Sequence, residues 1–254
     1  MQVWMGLYMR DKVELTGIVL SSTLFGDYDK RLVILTKERG KITAFAKGAR
    51  KPNSPYLGIS EPFNFGTFTL MESYDAYRLL GADIKEYFLD VKNDIEAICY
   101  GTYFCDILEY LCVEGIGDTN VMNLIYVTLK VLQEKRIPMP LVRRIFELKM
   151  LALDGEAMVA FSCACCDKKG LAAFSLRQNG LVCEACGRLQ ADSVKLSESA
   201  VYTIQYILSS PIKQLYHFQI TGEVQKELDA VIGSYFDQHI PKKFKSLEIL
   251  TSLS

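Results

Sequence analysis

Two cysteine pairs constrain this chain more than any other feature: Cys163-x-x-Cys166 and Cys183-x-x-Cys186, with sixteen residues between Cys166 and Cys183. A two-residue gap lets a tight turn aim both sulfurs at one point, and two such hooks close a tetrahedron around Zn²⁺. Four protein ligands leave no open position, so the site reads as structural, not catalytic. Gly180 and Gly187 suit the turns such a knuckle needs. Two alternatives stay open: the thiols are simply buried and free, or Cys165 replaces Cys166 as a ligand, although only the Cys163/Cys166 pair has the usual spacing.

Eight cysteines without a secretory leader imply a reducing compartment. Cys99, Cys105 and Cys112 fall in a helical pattern and read as small buried hydrophobes. Residues 1–10 are apolar but lack a basic start, a long apolar run and a small-residue cleavage site. They are expected as a lead segment, with Met5 or Met9 as alternative starts. Half of the 254 residues are hydrophobic, enough for a sizeable core. No run of about 18 apolar residues predicts a membrane span.

Residues 11–84 read as a β domain. Val13–Ser22, Lys30–Lys37, Gly40–Lys47, Phe63–Met71 and Ala76–Ile84 are β-branched or aromatic runs separated by Gly, Asp, Asn and Pro. Five short strands suit a small Greek-key barrel of the OB-fold type, which binds single-stranded nucleic acid across strands two and three. That is where the charge is concentrated. Residues 37–51 hold Lys37, Arg39, Lys41, Lys47, Arg50 and Lys51 against the single acid Glu38, on a chain whose net charge is −1. Alternation puts Lys41, Thr43, Phe45 and Lys47 on one face, so cations for phosphates share a surface with a ring that can stack on a base. Arg31 is a further phosphate candidate. Core packing for Phe45 and a merely solvated basic hairpin are the competing readings. Gly26-Asp-Tyr-Asp29 reads as a turn, its acids capping the turn or pairing with Lys30 and Arg31.

From Asp94 the period becomes helical. Asp94–Glu114, Thr119–Glu134, Pro138–Leu153, Ser197–Ser209 and Glu223–Gln238 are expected helices, with Ile98, Phe104, Ile107, Leu108 and Leu111 forming the apolar stripe of the first. The cysteine segment, at about 160–190, is then an insertion in a helical domain spanning 85–254. The expected class is α+β: a five-stranded barrel, then a helical domain carrying a four-cysteine zinc knuckle. The two histidines, His217 and His239, form no recognisable triad, and no phosphate-binding glycine loop is present. The sequence argues for binding; a metal-dependent nuclease would need clustered carboxylates with histidine.

These residues resemble the RecO family of bacterial recombination and repair mediators, over nearly the whole chain. The likeness runs through Gly17-Ile-Val-Leu20, Gly26-Asp-Tyr-Asp-Lys-Arg-Leu32, Thr36, Gly40, Lys47-Gly-Ala-Arg50 and Glu61-Pro-Phe63. It continues in Leu141-Val-Arg-Arg-Ile-Phe-Glu147, Phe174, Gly180 and Leu181-Val-Cys183. Cys165 and the first ten residues depart from it. The resemblance implies a cytoplasmic, nucleoid-associated protein without catalytic turnover. Such a protein binds single- and double-stranded DNA, anneals strands and, with RecR, helps load RecA onto DNA coated by single-strand-binding protein, SSB. It also implies recognition of the acidic C-terminal tail of SSB by the helical domain, for which Arg143 and Arg144, set among apolar residues, are candidates. The alternative is a barrel that serves as a protein-interaction scaffold without direct DNA binding.

Overall fold

The computed structural model describes residues 11–73 and 76–253; the expected lead segment, residues 1–10, lies outside them. Five strands, β1 (Lys12–Phe25), β2 (Asp29–Thr36), β3 (Gly40–Ala46), β4 (Phe65–Glu72) and β5 (Tyr77–Glu86), close into a barrel in the order β1-β2-β3-β5-β4. Closure depends on the length of β1. Its C-terminal part pairs with β2 (Gly17↔Thr36 to Phe25↔Asp29) and its N-terminal part with β4 (Lys12↔Met71 to Ile18↔Phe65). A register shift between Val19 and Ser21 marks where the strand passes from one neighbour to the other, the bend that a bulge supplies. The circle is completed by a short parallel pairing of β3 with β5 at Ala44↔Tyr77 and Phe45↔Arg78.

The interior is filled as the alternation requires. Leu15, Val19, Leu32, Ile34, Ile42, Ala44, Ala46, Phe68, Leu70 and Leu79 form one buried cluster. On β2, however, Val33 and Leu35 are also buried, so this strand is covered on both faces. The unbroken run Leu32-Val-Ile-Leu35 is what such a strand looks like in sequence.

Helices follow: α1 (Leu89–Lys92), α2 (Ile95–Leu111), α3 (Thr119–Glu134) and α4 (Met139–Leu153). The cysteine lobe then contributes β6 (Leu171–Ser175), β7 (Gly180–Cys183), α5 (Glu184–Gly187) and β8 (Val194–Lys195). After it come α6 (Glu198–Ser209), α7 (Gly222–His239) and α8 (Lys245–Leu253). The described residues form two compact units: those up to 94 with 101–122, and 95–100 with those from 123 onward. The α2 stripe differs from expectation at Ile98, which is exposed, while Tyr103, Phe104, Cys105, Ile107 and Leu108 are buried. Cys105 is the one fully buried thiol of its group; Cys99 and Cys112 are half-buried.

In the second unit α4 is the central helix and is buried on most sides. Its two buried charges are both tied down. Lys149 Nζ donates to the carbonyls of Ile207, Leu208 and Ser210, placing a cation on the C-terminal end of α6. Glu147 takes two arginines, described below. Thr128 on α3 and Tyr216 share a buried hydrogen bond of 2.6 Å. The lobe is inserted between α4 and α6. It packs on α7 through an edge-on contact of Phe174 with Tyr235 and a hydrogen bond from Gln238 to Asn179. Among the described residues no helix is long and apolar enough to cross a membrane.

Candidate nucleic-acid interface and cysteine cluster

The β2–β3 hairpin carries the basic segment, and the strand alternates as expected. Lys41, Thr43 and Phe45 are half-buried on the outer face of β3, with Ile42, Ala44 and Ala46 inside the barrel. Lys47 lies just past the strand. The two ends of this hairpin differ in what surrounds them.

At the Gly40 end the first unit folds back on its own barrel. Gly40 pairs with Glu114, the Lys41 amide donates to the Val113 carbonyl, and Lys41 Nζ donates to the Glu109 carbonyl in the last turn of α2. Gly40 has φ +62°, and a Cβ there would stand 2.4 Å from the carbonyl oxygens of Val113 and Ile116, so both the turn and the close approach require glycine. Arg39 is also engaged: it forms an ion pair with Glu72, donates to the Tyr77 hydroxyl at 2.9 Å and lies 5.8 Å from that ring's centre. Lys37 is exposed in the turn. Arg39 and Lys41 therefore hold the barrel to neighbouring segments: the charge of Arg39 is offset by Glu72, and the ammonium of Lys41 keeps its charge but is committed to a main-chain carbonyl.

The opposite end is open. Lys47, Arg50 and Lys51 are exposed in the turn after β3. Arg50 donates to the Asp27 carbonyl at 3.0 Å, and Lys51 Nζ stands 5.6 Å from the centre of the Tyr28 ring. Arg31, opposite Phe45 across the ladder, lies 3.4 Å from the Thr43 hydroxyl. The Phe45 ring packs on Phe25, centre to centre 4.7 Å, and keeps only part of its surface for solvent. The turn acids behave differently from expectation: Asp29 accepts from the Gly48 amide at 2.7 Å, and Lys30 pairs with Glu61 at 2.6 Å instead of with an aspartate of the turn. The eight candidates thus fall at two ends of one hairpin, roughly 20 Å apart at 3.3 Å per residue.

In the lobe, the sulfurs of Cys163, Cys166, Cys183 and Cys186 all lie within 4.8 Å of one another, with Cys166 and Cys183 at 3.8 Å. Sulfurs at the corners of a zinc tetrahedron with bonds of about 2.3 Å are about 3.8 Å apart, so the four residues fit a metal of that size. The Cys183 amide donates to Cys163 Sγ at 3.3 Å. Burial would raise the Cys163 pKa, but amide donors from residues 183, 165 and 166 outweigh it and bring the thiol down to about 6. A sulfur already surrounded by N–H groups is prepared to be a thiolate. Cys165 is outside this group of four; it is exposed, 3.9 Å from the Gln190 side chain. Among the described residues, Cys163, Ala173, Val182 and Cys183 form a small buried cluster in the lobe, with Ala164, Leu171 and Cys186 packed on it, a core small enough for a staple to matter.

Comparison with known proteins agrees with both halves of this architecture. Family models described as recombination protein O, N terminal and C terminal, match residues 9–88 and 92–248. This chain belongs to the RecO family. It is 29% identical over 240 residues to the DNA repair protein RecO of Alkaliphilus metalliredigens, covering 93% of this chain and 98% of that protein. It is 29% identical over 241 residues to the DNA repair protein RecO of Acetivibrio thermocellus (94% and 96%), and 27% over 243 residues to that of Desulforamulus reducens (94% and 94%).

The remaining candidates, Arg143 and Arg144, do not present an open basic face. Arg143 donates to Glu147 Oε1 and Arg144 to Glu147 Oε2, each at 2.7 Å, while Arg144 Nε reaches Asp229 on α7 at 2.8 Å. The Glu147 side chain is fully buried. Gly233 gives Arg144 room to lie across α7: a Cβ there would stand 3.2 Å from the guanidinium nitrogens. Sequence reasoning missed Tyr28, an exposed aromatic in the β1–β2 turn. Its position between two acids drew attention to charge; a ring at the tip of a turn, where nothing needs burying, was the available signal.

Proposed function

We propose that this chain is a non-enzymatic DNA-binding mediator of DNA repair and homologous recombination. In this reading it anneals strands and, with RecR, helps load RecA onto single-stranded DNA coated by SSB, in the cytoplasm at the nucleoid. Membership of the RecO family supports the repair role, as do relatives named DNA repair proteins along almost their full length. The observation that carries DNA contact is the open end of the barrel, where Lys47, Arg50 and Lys51 stand exposed beside aromatic rings. Phosphates there would be neutralised with release of counterions, and bases would stack on rings, a combination that tolerates any sequence.

The four cysteines hold one structural Zn²⁺ in this reading; closed four-sulfur coordination contributes folding free energy and leaves no position for substrate. The barrel domain ends near residue 84, and the helical domain receives the SSB tail through Arg143 and Arg144. The test is binding to single-stranded DNA across a salt series. Lys47→Glu with Arg50→Glu should weaken binding to all sequences alike and flatten the dependence on salt. Unchanged affinity and slope would assign the barrel to protein partners instead.

A further inference from the structure

Between the β1–β2 turn and the loop after β3 lies a recess of about 620 Å³, lined by Tyr28, Tyr56, Lys47, Lys51 and Asp27. Its volume falls within the roughly 300–1,000 Å³ of small-molecule sites. It also differs in kind from the strand face considered above. Tyr28 is 54% exposed, although nothing in the turn obliges a large ring to sit there. Tyr56 is half-buried and anchored against the barrel core, so it forms a fixed wall. Lys47 and Lys51 are exposed on the same recess, and Lys51 stands over the Tyr28 ring.

The walls are held in place by three hydrogen bonds, one between main-chain groups and two between a side chain and the main chain. The Arg50 amide donates to the Tyr28 carbonyl at 2.9 Å, the Gly48 amide donates to Asp29, and Arg50 Nη1 donates to the Asp27 carbonyl. The aromatic ring and the two lysines therefore belong to one cross-braced pair of turns. Asp29 also lines the recess, with one carboxylate oxygen accepting from the Gly48 amide. Asp27 is an exposed acid of the same recess.

We propose that this recess is a single-nucleotide subsite for single-stranded DNA, in which one unpaired base stacks on Tyr28 while Lys47 and Lys51 take its phosphates. A paired base offers no open face to the ring, so the recess selects single strands over duplex. The subsite rests on the proposed DNA binding by the barrel, and it is the part of that binding that distinguishes bases from bare backbone. Base–aromatic stacking supplies it without sequence preference.

The experiment uses the full chain and two fluorescent probes of about 16 nucleotides, the upper end of an OB-fold site. One is oligothymidine and the other an abasic strand of the same length. Tyr28→Ala should weaken oligothymidine binding by about 5- to 150-fold, the span of a single stacking contact, and should weaken abasic binding far less. Tyr28→Trp should restore oligothymidine binding, which separates loss of the ring from a damaged turn. Lys51→Gln should lower the salt slope by about 0.7 on both probes. Equal losses on both probes with Tyr28→Ala, or no loss on either, would overturn the subsite while leaving DNA binding by the barrel intact. A wild-type chain that binds neither probe would overturn both.

Discussion

Glu147 is one of two buried charged residues on α4, and its removal should be measurable in isolation. Its carboxylate is fully buried and accepts one hydrogen bond from each of two guanidinium groups at 2.7 Å, with side-chain exposure of 20% for Arg143 and 12% for Arg144. Removing one partner of a buried ion pair costs about 3–5 kcal/mol, because the surviving charges stay desolvated. Here the lower end applies: Arg144 keeps Asp229, and both arginines retain a path to water. Glu147→Ala should therefore cost about 3 kcal/mol. Glu147→Gln keeps the shape and one acceptor but turns an amide donor toward a guanidinium, and should cost about 2 kcal/mol. Equilibrium urea unfolding followed by far-UV circular dichroism reads both. The comparison is Glu134→Gln, which removes an exposed pair with Arg136 at 3.0 Å and should stay within about 0.5 kcal/mol. A Glu147→Ala variant no less stable than Glu134→Gln would refute the clamp. The same variants bear on the SSB tail. If Arg143 and Arg144 receive its carboxylates, they must share or leave Glu147, and Glu147→Gln must change affinity for the tail peptide. An unchanged affinity would move tail recognition away from this pair.

Two further outcomes follow from the geometry. Protein purified without added metal should contain about one zinc per chain, and Cys183→Ser should lower thermal stability more than it lowers DNA affinity, since the four sulfurs staple a lobe with little core of its own; a metal-free chain of undiminished stability would refute the zinc site. Neutralising Arg39 and Lys41 together should lower stability while leaving the salt slope of DNA binding nearly constant, whereas neutralising Lys47 and Lys51 should lower the slope by about 1.4 with little loss of stability; the reverse pattern would show that the partners of Arg39 and Lys41 release them when DNA arrives.

The barrel was legible because its evidence is local. Alternation and turn residues act over a few positions, and each of the five expected runs overlaps a strand, with β1 extended to Phe25 because it must serve two neighbours. The helix Thr119–Glu134 follows its periodicity to the residue. The cysteines were legible for the same reason, since each hook is a four-residue motif. Ile98 was misplaced because a stripe drawn along a helix ignores where its packing changes: residues 95–100 belong to one unit and residues 101–122 to the other.

The charge distribution was legible as a sum and illegible as a site. Six cations over residues 37–51 are equivalent in sequence, but a cation's contribution to phosphate binding depends on what it has already bonded. That is decided by distant residues: Arg39 meets Glu72, and Lys41 reaches a carbonyl 68 positions away. No local pattern encodes these partners, because they result from barrel closure and from α2 returning to the Gly40 turn. Once they are accounted for, the cations left most available are at the turn with Lys47 and Lys51, not at the Gly40 end of the hairpin. There they meet Tyr28, a residue that neither charge nor periodicity singles out. A nucleic-acid surface of this kind is defined by which charges the fold leaves unspent, and the aromatic rings beside those charges are the ones to test first.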